Sequence, residues 1–449
     1  MIPLPLGEGG RRPGEGHMPD VIVIGAGISG LSCAWTLKKL GIDAEVLESA
    51  SRPGGVIRSE RVHGYLVECG PNSFQPARNA LDMIDDAGLW DDMVAGDPHA
   101  PRYVYLNSRL RKFPFGPLTF GGMLRILGEP FVRSRSPQNE SVSGFFRRRF
   151  GEQAHDRLVA PLLTGMYAAN TEQLSMAAVF PRMVQMEQES GSLTGAMLRS
   201  FTRRPPAASA SSPTKAKPRG TVFSFGDGMS VLTDRMAANM AVRYNVSNAH
   251  PGETPVTVLT VPAYRAAEIL EGQRSDVARL LGQVRYAPMV IAATSAPEHS
   301  FKQPLRGFGF LTPRDQGLHL LGTLFSSALF PNRAPEGQVL LTSFIGGAFE
   351  PEAFDWPDER VWEVVTSELK RVLDMSTVPE PVALFRHRNA IPQYKIGHES
   401  WVESLTNEIK HMPGLFITAN YIQGISVPAC MEQGERTAHA VAEYLRRKA

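Results

Sequence analysis

The stretch VIVIGAGISGLSC at residues 21–33 constrains this chain more than any other. Four apolar residues, Val21 to Ile24, run directly into Gly25-Ala26-Gly27-Ile28-Ser29-Gly30. A buried strand that turns through Gly-x-Gly-x-x-Gly into a helix is the arrangement that holds a dinucleotide pyrophosphate. Gly25 suits the tight turn, Gly27 lets the backbone approach the phosphates, and Gly30 lets the helix pack closely on the strand. The helix N-terminus adds unpaired N–H groups and partial positive charge. LSCAWTLKKLG carries apolar residues at helical spacing and stops at Gly41. DAEVLE then predicts a second strand ending at Glu48, 18 residues beyond Gly30. That spacing suits a carboxylate accepting hydrogen bonds from the adenosine ribose. The class is therefore α/β, with a Rossmann-type unit at its start.

Ser49 to Ile57 (SASRPGGVI) follows the acid at once. Paired glycines at 54 and 55 let the backbone pass against a bulky ligand where a Cβ would clash, and Arg52 can place charge on phosphates. Gly64 to Ser73 reads GYLVECGPNS. In this order the stretches resemble the FAD-dependent oxidoreductases of the amine oxidase and protoporphyrinogen oxidase superfamily. The resemblance implies FAD as cofactor. Its contacts would come from Gly25, Ala26, Gly27, Ile28, Ser29 and Gly30; from Glu48, Ser49, Arg52, Gly54, Gly55, Val56 and Ile57; and from Gly70, Pro71, Asn72 and Ser73.

Length and composition fit this reading. A chain of 449 residues can form two or three domains. A formal charge of +2 gives no drive towards nucleic acid, and three cysteines (Cys33, Cys69, Cys430) are too few and too scattered for a disulfide framework or a metal site. No stretch approaches 18 apolar residues, so no membrane-spanning helix is expected. Composition predicts a disordered leader at 1–17, and the resemblance implies FAD-binding segments at 18–78, 221–265 and 401–449. Between them lie a helical membrane or substrate region at 79–200, a linker at 201–220 and a substrate-binding region at 266–400.

The back half narrows the family. LRGFGFLTP (305–313), GTLFSS (322–327) with FPNRAP (330–335), SFIGG (343–347) and RNAIPQY with Gly397-His398 resemble successive blocks of the protoporphyrinogen oxidase family, as does APLLTGMYAANTEQLSMAA (160–178). The resemblance implies a flavin domain discontinuous in sequence, an α+β substrate domain with an antiparallel sheet, and a helical membrane-associating domain. It implies six-electron oxidation of protoporphyrinogen IX, with molecular oxygen as acceptor. It further implies a cytoplasmic enzyme peripherally attached to a membrane surface, and it leaves a homodimer open. Alternatives are coproporphyrinogen III oxidation, a related amine oxidase, and a flavin-binding scaffold without turnover.

By the same resemblance Gly424, Ile425, Ser426 and Val427 form a flavin loop, with Ser426 or Val427 capping a helix and Pro428 in its first turn. Arg102 is the first candidate for a substrate propionate, ahead of Arg109 and Arg111. Phe325 is the candidate for stacking on a pyrrole ring, and Met289 for the opposite wall. No catalytic base or metal ligand stands out, and His387 and His398 read as structural. The chain departs from the family near residue 250. A three-stranded ribbon before TPVTVLTVP has no room here, which makes Val246 an uncertain flavin contact and leaves the adenine end less covered.

Overall fold

The computed structural model describes residues 18–132, 135–195, 222–249, 251–252, 254–272 and 275–448. The expected leader at 1–17 and linker at 201–220 lie outside these residues.

Five parallel strands form one sheet, in the spatial order Leu415–Ile417, Val256–Leu259, Val21–Ile24, Ala44–Leu47, Ala241–Arg243. Val21 and Val23 enter a core with helices Ile28–Lys39, Ser230–Ala238 and Val427–Lys448. Ile22 and Ile24 enter a second core with helices Ala263–Leu270, Ser275–Leu281 and His398–Ile409. Covering on both faces explains why the central strand is an unbroken apolar run. The sheet is assembled from three widely separated stretches of chain.

Seven strands form the other sheet, in the order Glu380–Pro392, Tyr286–Pro297, Gln338–Gly346, Leu320–Leu324, Gly309–Leu311, Arg102–Leu106, Arg109–Lys112. Its neighbours are antiparallel except Gly309–Leu311, which runs parallel to Arg102–Leu106. One face packs on helix Asp358–Leu373 through Val290, Ala292, Leu320 and Leu341. The opposite face carries Met289, Ile291, Leu321 and Ala293, and meets Ala168 and the hairpin Ser59–Val62/Tyr65–Glu68. Alternation along each strand sends successive side chains to the two layers.

Helices Val142–Phe150, Ala160–Tyr167, Met176–Val179 and Pro181–Ser190 share a core around Phe145, Leu163 and Met176. A π-helical turn, His155–Val159, precedes Pro161. Proline there has no N–H to give back to the preceding turn, and a wider turn absorbs the lost bond.

Two boundaries differ from the expectation. The region 79–200 is not purely helical: Met93–Ala95 pairs with Phe223–Phe225, and the hairpin Arg102–Lys112 joins the seven-stranded sheet. The partner of Met93–Ala95, and the strand beside which the hairpin sits, lie more than a hundred residues away, where no local pattern marks them. The region 266–400 also begins and ends in helices that pack on the parallel sheet. Between Ala241–Arg243 and Val256–Leu259 the described residues form no strand, in keeping with the short spacing. No described helix is long and apolar enough to cross a membrane.

Candidate cofactor and substrate site

The glycine turn sits at the C-terminal end of the central strand. Gly25 has φ +109°, and a Cβ there would lie 2.9 Å from Thr260 Oγ1. A Cβ on Gly30 would run into the Gly25 carbonyl oxygen. Thr260 supports both by donating to the Ile24 and Gly25 carbonyls at 2.9 and 2.8 Å. Gly27 differs: nothing lies within 4 Å of where its Cβ would point. The side facing the helix N-terminus is therefore open, as close approach of a ligand backbone requires.

Glu48 closes the next corner. Its carboxylate accepts from the Ala26 and Ala50 amides, each at 2.8 Å, and is buried. The Gly54 amide donates to the Ala26 carbonyl at 2.8 Å, so the paired-glycine turn lies directly on the first glycine turn. Arg52 braces that turn from within. Its guanidinium donates to the carbonyls of Pro53, Gly55 and Ile57 at 2.9, 2.8 and 3.2 Å. Those donors hold the loop's own shape, a use of the charge that the expectation of a phosphate contact did not include. Ser49 lies beside the Glu48 carboxylate at 3.3 Å, Val56 projects half-exposed from the turn, and Ile57 is buried. The Val246 amide donates to the Glu48 carbonyl at 2.9 Å, which sets that residue at the same corner.

Gly70 to Ser73 lies against the paired-glycine turn: a Cβ on Gly70 would strike the Val56 carbonyl oxygen. His387 Nε2 meets the Cys69 carbonyl at 2.7 Å, tying the seven-stranded sheet to this loop. Asn72 Nδ2 donates to the Gly70 carbonyl at 3.1 Å. Asn72 and Ser73 also line a cavity of about 10 Å³ with Glu68 and Arg333. Glu68 and Arg333 escaped the sequence reading. Both are almost fully buried and lie 3.4 Å apart. Glu68 accepts from Ser59 Oγ at 2.6 Å and the Met229 amide at 3.0 Å, and Arg333 donates to Ser224 Oγ at 2.7 Å. Burial pushes the Glu68 carboxyl above its ordinary value, against the pull of Ser59 and Arg333. The pair bolts the substrate-side sheet to the cofactor-side hairpin.

At the other end of the chain Ser426 Oγ accepts from the Ala429 amide at 3.3 Å. It is the cap of helix Val427–Lys448, with Pro428 in the first turn. Gly424, at φ +69°, turns the chain into that cap, and Ile425 packs on the helical cluster. The loop before it is steadied by the PQY block. Tyr394 donates to the Asn420 carbonyl, and His398 stacks on Tyr394 with ring centroids 4.3 Å apart. His398 Nε2 lies 2.9 Å from the Ile422 carbonyl, an acceptor only, so that nitrogen carries the proton. Burial pushes the imidazole below its ordinary value, against the pull of the Ile422 carbonyl and Glu399. Both histidines brace loops.

The substrate candidates separate. Met289 lies on the face turned to the cofactor side, buried with Ile291, Leu321 and Ala168. Arg102 lies on the same face, because Tyr103 and Tyr105 alternate with it into the helix-backed core. Its guanidinium sits 4.9 Å above the Phe308 ring, and it is exposed. Phe325 corrects the expectation. It is 1% exposed and packs with Phe310 and Tyr105 in the helix-backed core. The strand Leu320–Leu324 ends just before it, and Phe325 turns to the layer opposite Met289, where a flat ligand has no access.

The profile of the flavin-containing amine oxidoreductases matches residues 28–442. The chain is 35% identical to a chloroplastic protoporphyrinogen oxidase of Oryza sativa subsp. japonica, over 98% of this chain and 91% of that one. It is 26% identical to a coproporphyrinogen III oxidase of Bacillus subtilis, over 95% and 98%. A crystal structure from Exiguobacterium sp. 255-15, provisionally described as a protoporphyrinogen oxidase, superposes with a TM-score of 0.77 at 20% identity, covering 95% of this chain and 98% of that one.

Proposed function

The chain belongs to the protoporphyrinogen oxidases within the flavin-containing amine oxidoreductases, and from that premise we propose that it oxidises protoporphyrinogen IX to protoporphyrin IX with FAD as cofactor. The observation that best supports FAD is the open side of Gly27, framed by Glu48, the Gly54-Gly55 turn and the Ser426-capped helix. When bound, FAD supplies the redox chemistry: six electrons leave each macrocycle, two at a time, and molecular oxygen is the terminal acceptor.

The chain's own residues bind and orient. Glu48, held by two amides, presents its remaining lone pairs to ribose hydroxyls. The first-turn amides of Ile28–Lys39 offer donors to the pyrophosphate. The N-terminus of helix Val427–Lys448 favours negative charge on the flavin ring. Met289 and its neighbours make an apolar wall for the macrocycle. Arg102 anchors one propionate through its planar fork. No side chain among the described residues is assigned as general base: His398 spends its Nε2 proton on bracing the Ile422 carbonyl, and released protons pass to water.

Arg102→Ala is expected to raise KM by about tenfold, the worth of one charge-assisted contact, with a smaller fall in kcat. Steady-state kinetics with KM unchanged removes Arg102 from the site. The function itself is tested by mixing holoenzyme anaerobically with protoporphyrinogen IX and admitting air. Porphyrin fluorescence should rise at the rate of flavin reoxidation. A rise only with coproporphyrinogen III moves the reading to the activity named for the Bacillus relative.

The membrane reading draws on an exposed apolar face. Phe120, Leu124 and Leu127 lie on one side of helix Phe120–Leu127, and all three face solvent with Phe115 and Phe131. Of the arginines in 113–135, Arg135 is exposed, Arg125 donates to the Arg148 and Arg149 carbonyls, and Arg133 lies outside the described residues. An amphipathic helix of this kind seats in a headgroup layer. Leu124→Glu with Leu127→Glu should abolish co-sedimentation with lipid vesicles. A change in oligomeric mass with vesicle binding intact would instead make the face a contact between copies.

A further inference from the structure

Three arginines crowd one face of the edge hairpin. In the antiparallel register Val104 lies opposite Arg111, and Leu106 opposite Arg109. Opposed residues share a face, and residues two apart share it too. Arg102, Arg109 and Arg111 therefore all point to the side turned away from helix Asp358–Leu373. Tyr103, Tyr105 and Leu110 point to the other side and enter its core. The Phe113 amide donates to the Arg102 carbonyl at 2.8 Å, which continues the register by one pair and makes Arg102 and Arg111 diagonal neighbours. Diagonal residues on such a pair lie roughly 7–8 Å apart.

Among the described residues none of the three has a carboxylate partner, although most other arginines of the chain are paired or hydrogen-bonded. Arg111 and Arg109 are exposed, and Arg102 has only the Phe308 ring. Three like charges held on one strand pair repel each other, and an anion that bridges them relieves the repulsion. Two arginines anchored this close on one face can each reach one carboxylate of a ligand that carries two acids on short flexible arms, and each can give a forked pair of hydrogen bonds.

We propose that Arg111 holds the second propionate of the tetrapyrrole, while Arg102 holds the first. The inference rests on the substrate reading above and adds what that reading lacks, a residue that counts carboxylates. It makes the site selective for macrocycles with two acidic arms on one edge.

The test uses holoenzyme and the product as probe. Protoporphyrin IX and its dimethyl ester are titrated by porphyrin fluorescence against wild type, Arg111→Gln and Arg111→Lys. Arg111→Gln should weaken the diacid about tenfold and leave the ester unchanged, with Arg111→Lys between them. KM for protoporphyrinogen should rise in parallel, more than kcat falls. Equal affinity of wild type and Arg111→Gln for the diacid overturns the proposal, as does an equal loss for acid and ester. Loss of binding to anionic lipid vesicles with porphyrin affinity intact assigns Arg111 to the lipid surface and also overturns it. Wild type that binds and oxidises the porphyrinogen while Arg111→Gln is neutral refutes this inference alone. Wild type that does neither refutes the substrate reading beneath it.

Discussion

Gly434→Ala should lower the thermal unfolding midpoint and strip flavin from the purified protein. The sign is the point. In a helix interior alanine normally improves on glycine by about 1 kcal/mol, and Gly434 lies inside helix Val427–Lys448. Yet a Cβ at this position would strike the Ser29 carbonyl oxygen and come within 2.9 Å of both the Cys33 amide and Ser32 Cβ. Those neighbours belong to helix Ile28–Lys39, whose first turn follows directly on the glycine turn. Two of the three are backbone atoms and cannot rotate aside, so the helices must separate. Overpacking of this kind costs about 1–3 kcal/mol for one carbon, and valine should exceed that range. A second consequence follows from position: separating the helices displaces the glycine turn itself. Flavin absorbance per chain after gel filtration should therefore fall further than stability alone explains. A midpoint equal to or above wild type would falsify the close crossing.

The second large effect concerns Arg333→Met. Removing one partner of a buried ion pair leaves the other unpaired, at a cost of about 3–5 kcal/mol. Glu68 would keep its bonds from Ser59 and Met229 but lose the guanidinium beside it. Its carboxyl already lies above the ordinary value because burial outweighs its partners. The variant should raise it further. A folded-state carboxyl that sits high binds more protons than the same group in the unfolded chain. Stability then falls as pH rises from the ordinary carboxyl value through the raised one. The Arg333→Met deficit should accordingly be smaller at pH 5 than at pH 8, read as the urea midpoint at each pH. Adding Glu68→Gln should recover much of the loss, because an amide needs no counter-charge. A deficit independent of pH, or undiminished in the double variant, would mean that packing and not charge holds this junction.

The parts of the site that were legible in sequence are those built by contiguous residues. Gly25 to Gly30, Glu48 and the Gly54-Gly55 turn lie within one βαβ unit, where spacing and backbone chemistry determine the geometry. Ser426 was readable as a cap because its partner, the Ala429 amide, lies three residues on. Phe325 was not readable, because which layer a residue joins at a strand end depends on a bulge and a turn, and Leu320 to Gly322 contains such a shift. Glu68, Arg333, Thr260 and Gly434 escaped for a related reason. Each acts on a segment more than a hundred residues distant, and nothing in the local pattern separates a bolt from a surface charge or a helix glycine from a weak one. The place of the hairpin at 102–112 beside Gly309–Leu311 was not legible either, because that strand lies far along the chain.

The parallel sheet was described above as drawn from three distant stretches, with Val21–Ile24 at its centre. In biosynthetic terms the first strand emerges from the ribosome long before its neighbour Val256–Leu259 exists, and longer still before Leu415–Ile417 and helix Val427–Lys448. Such distant pairings form slowly, and the chain waits with apolar surface exposed. The nucleotide site is thus a late product, complete only when the last helix docks on the first. A ligand that binds only the finished arrangement pulls the equilibrium towards it. The cofactor is in this sense the clasp that joins an early segment of the chain to a late one, and supply of FAD during synthesis should govern how much of the chain reaches its folded state.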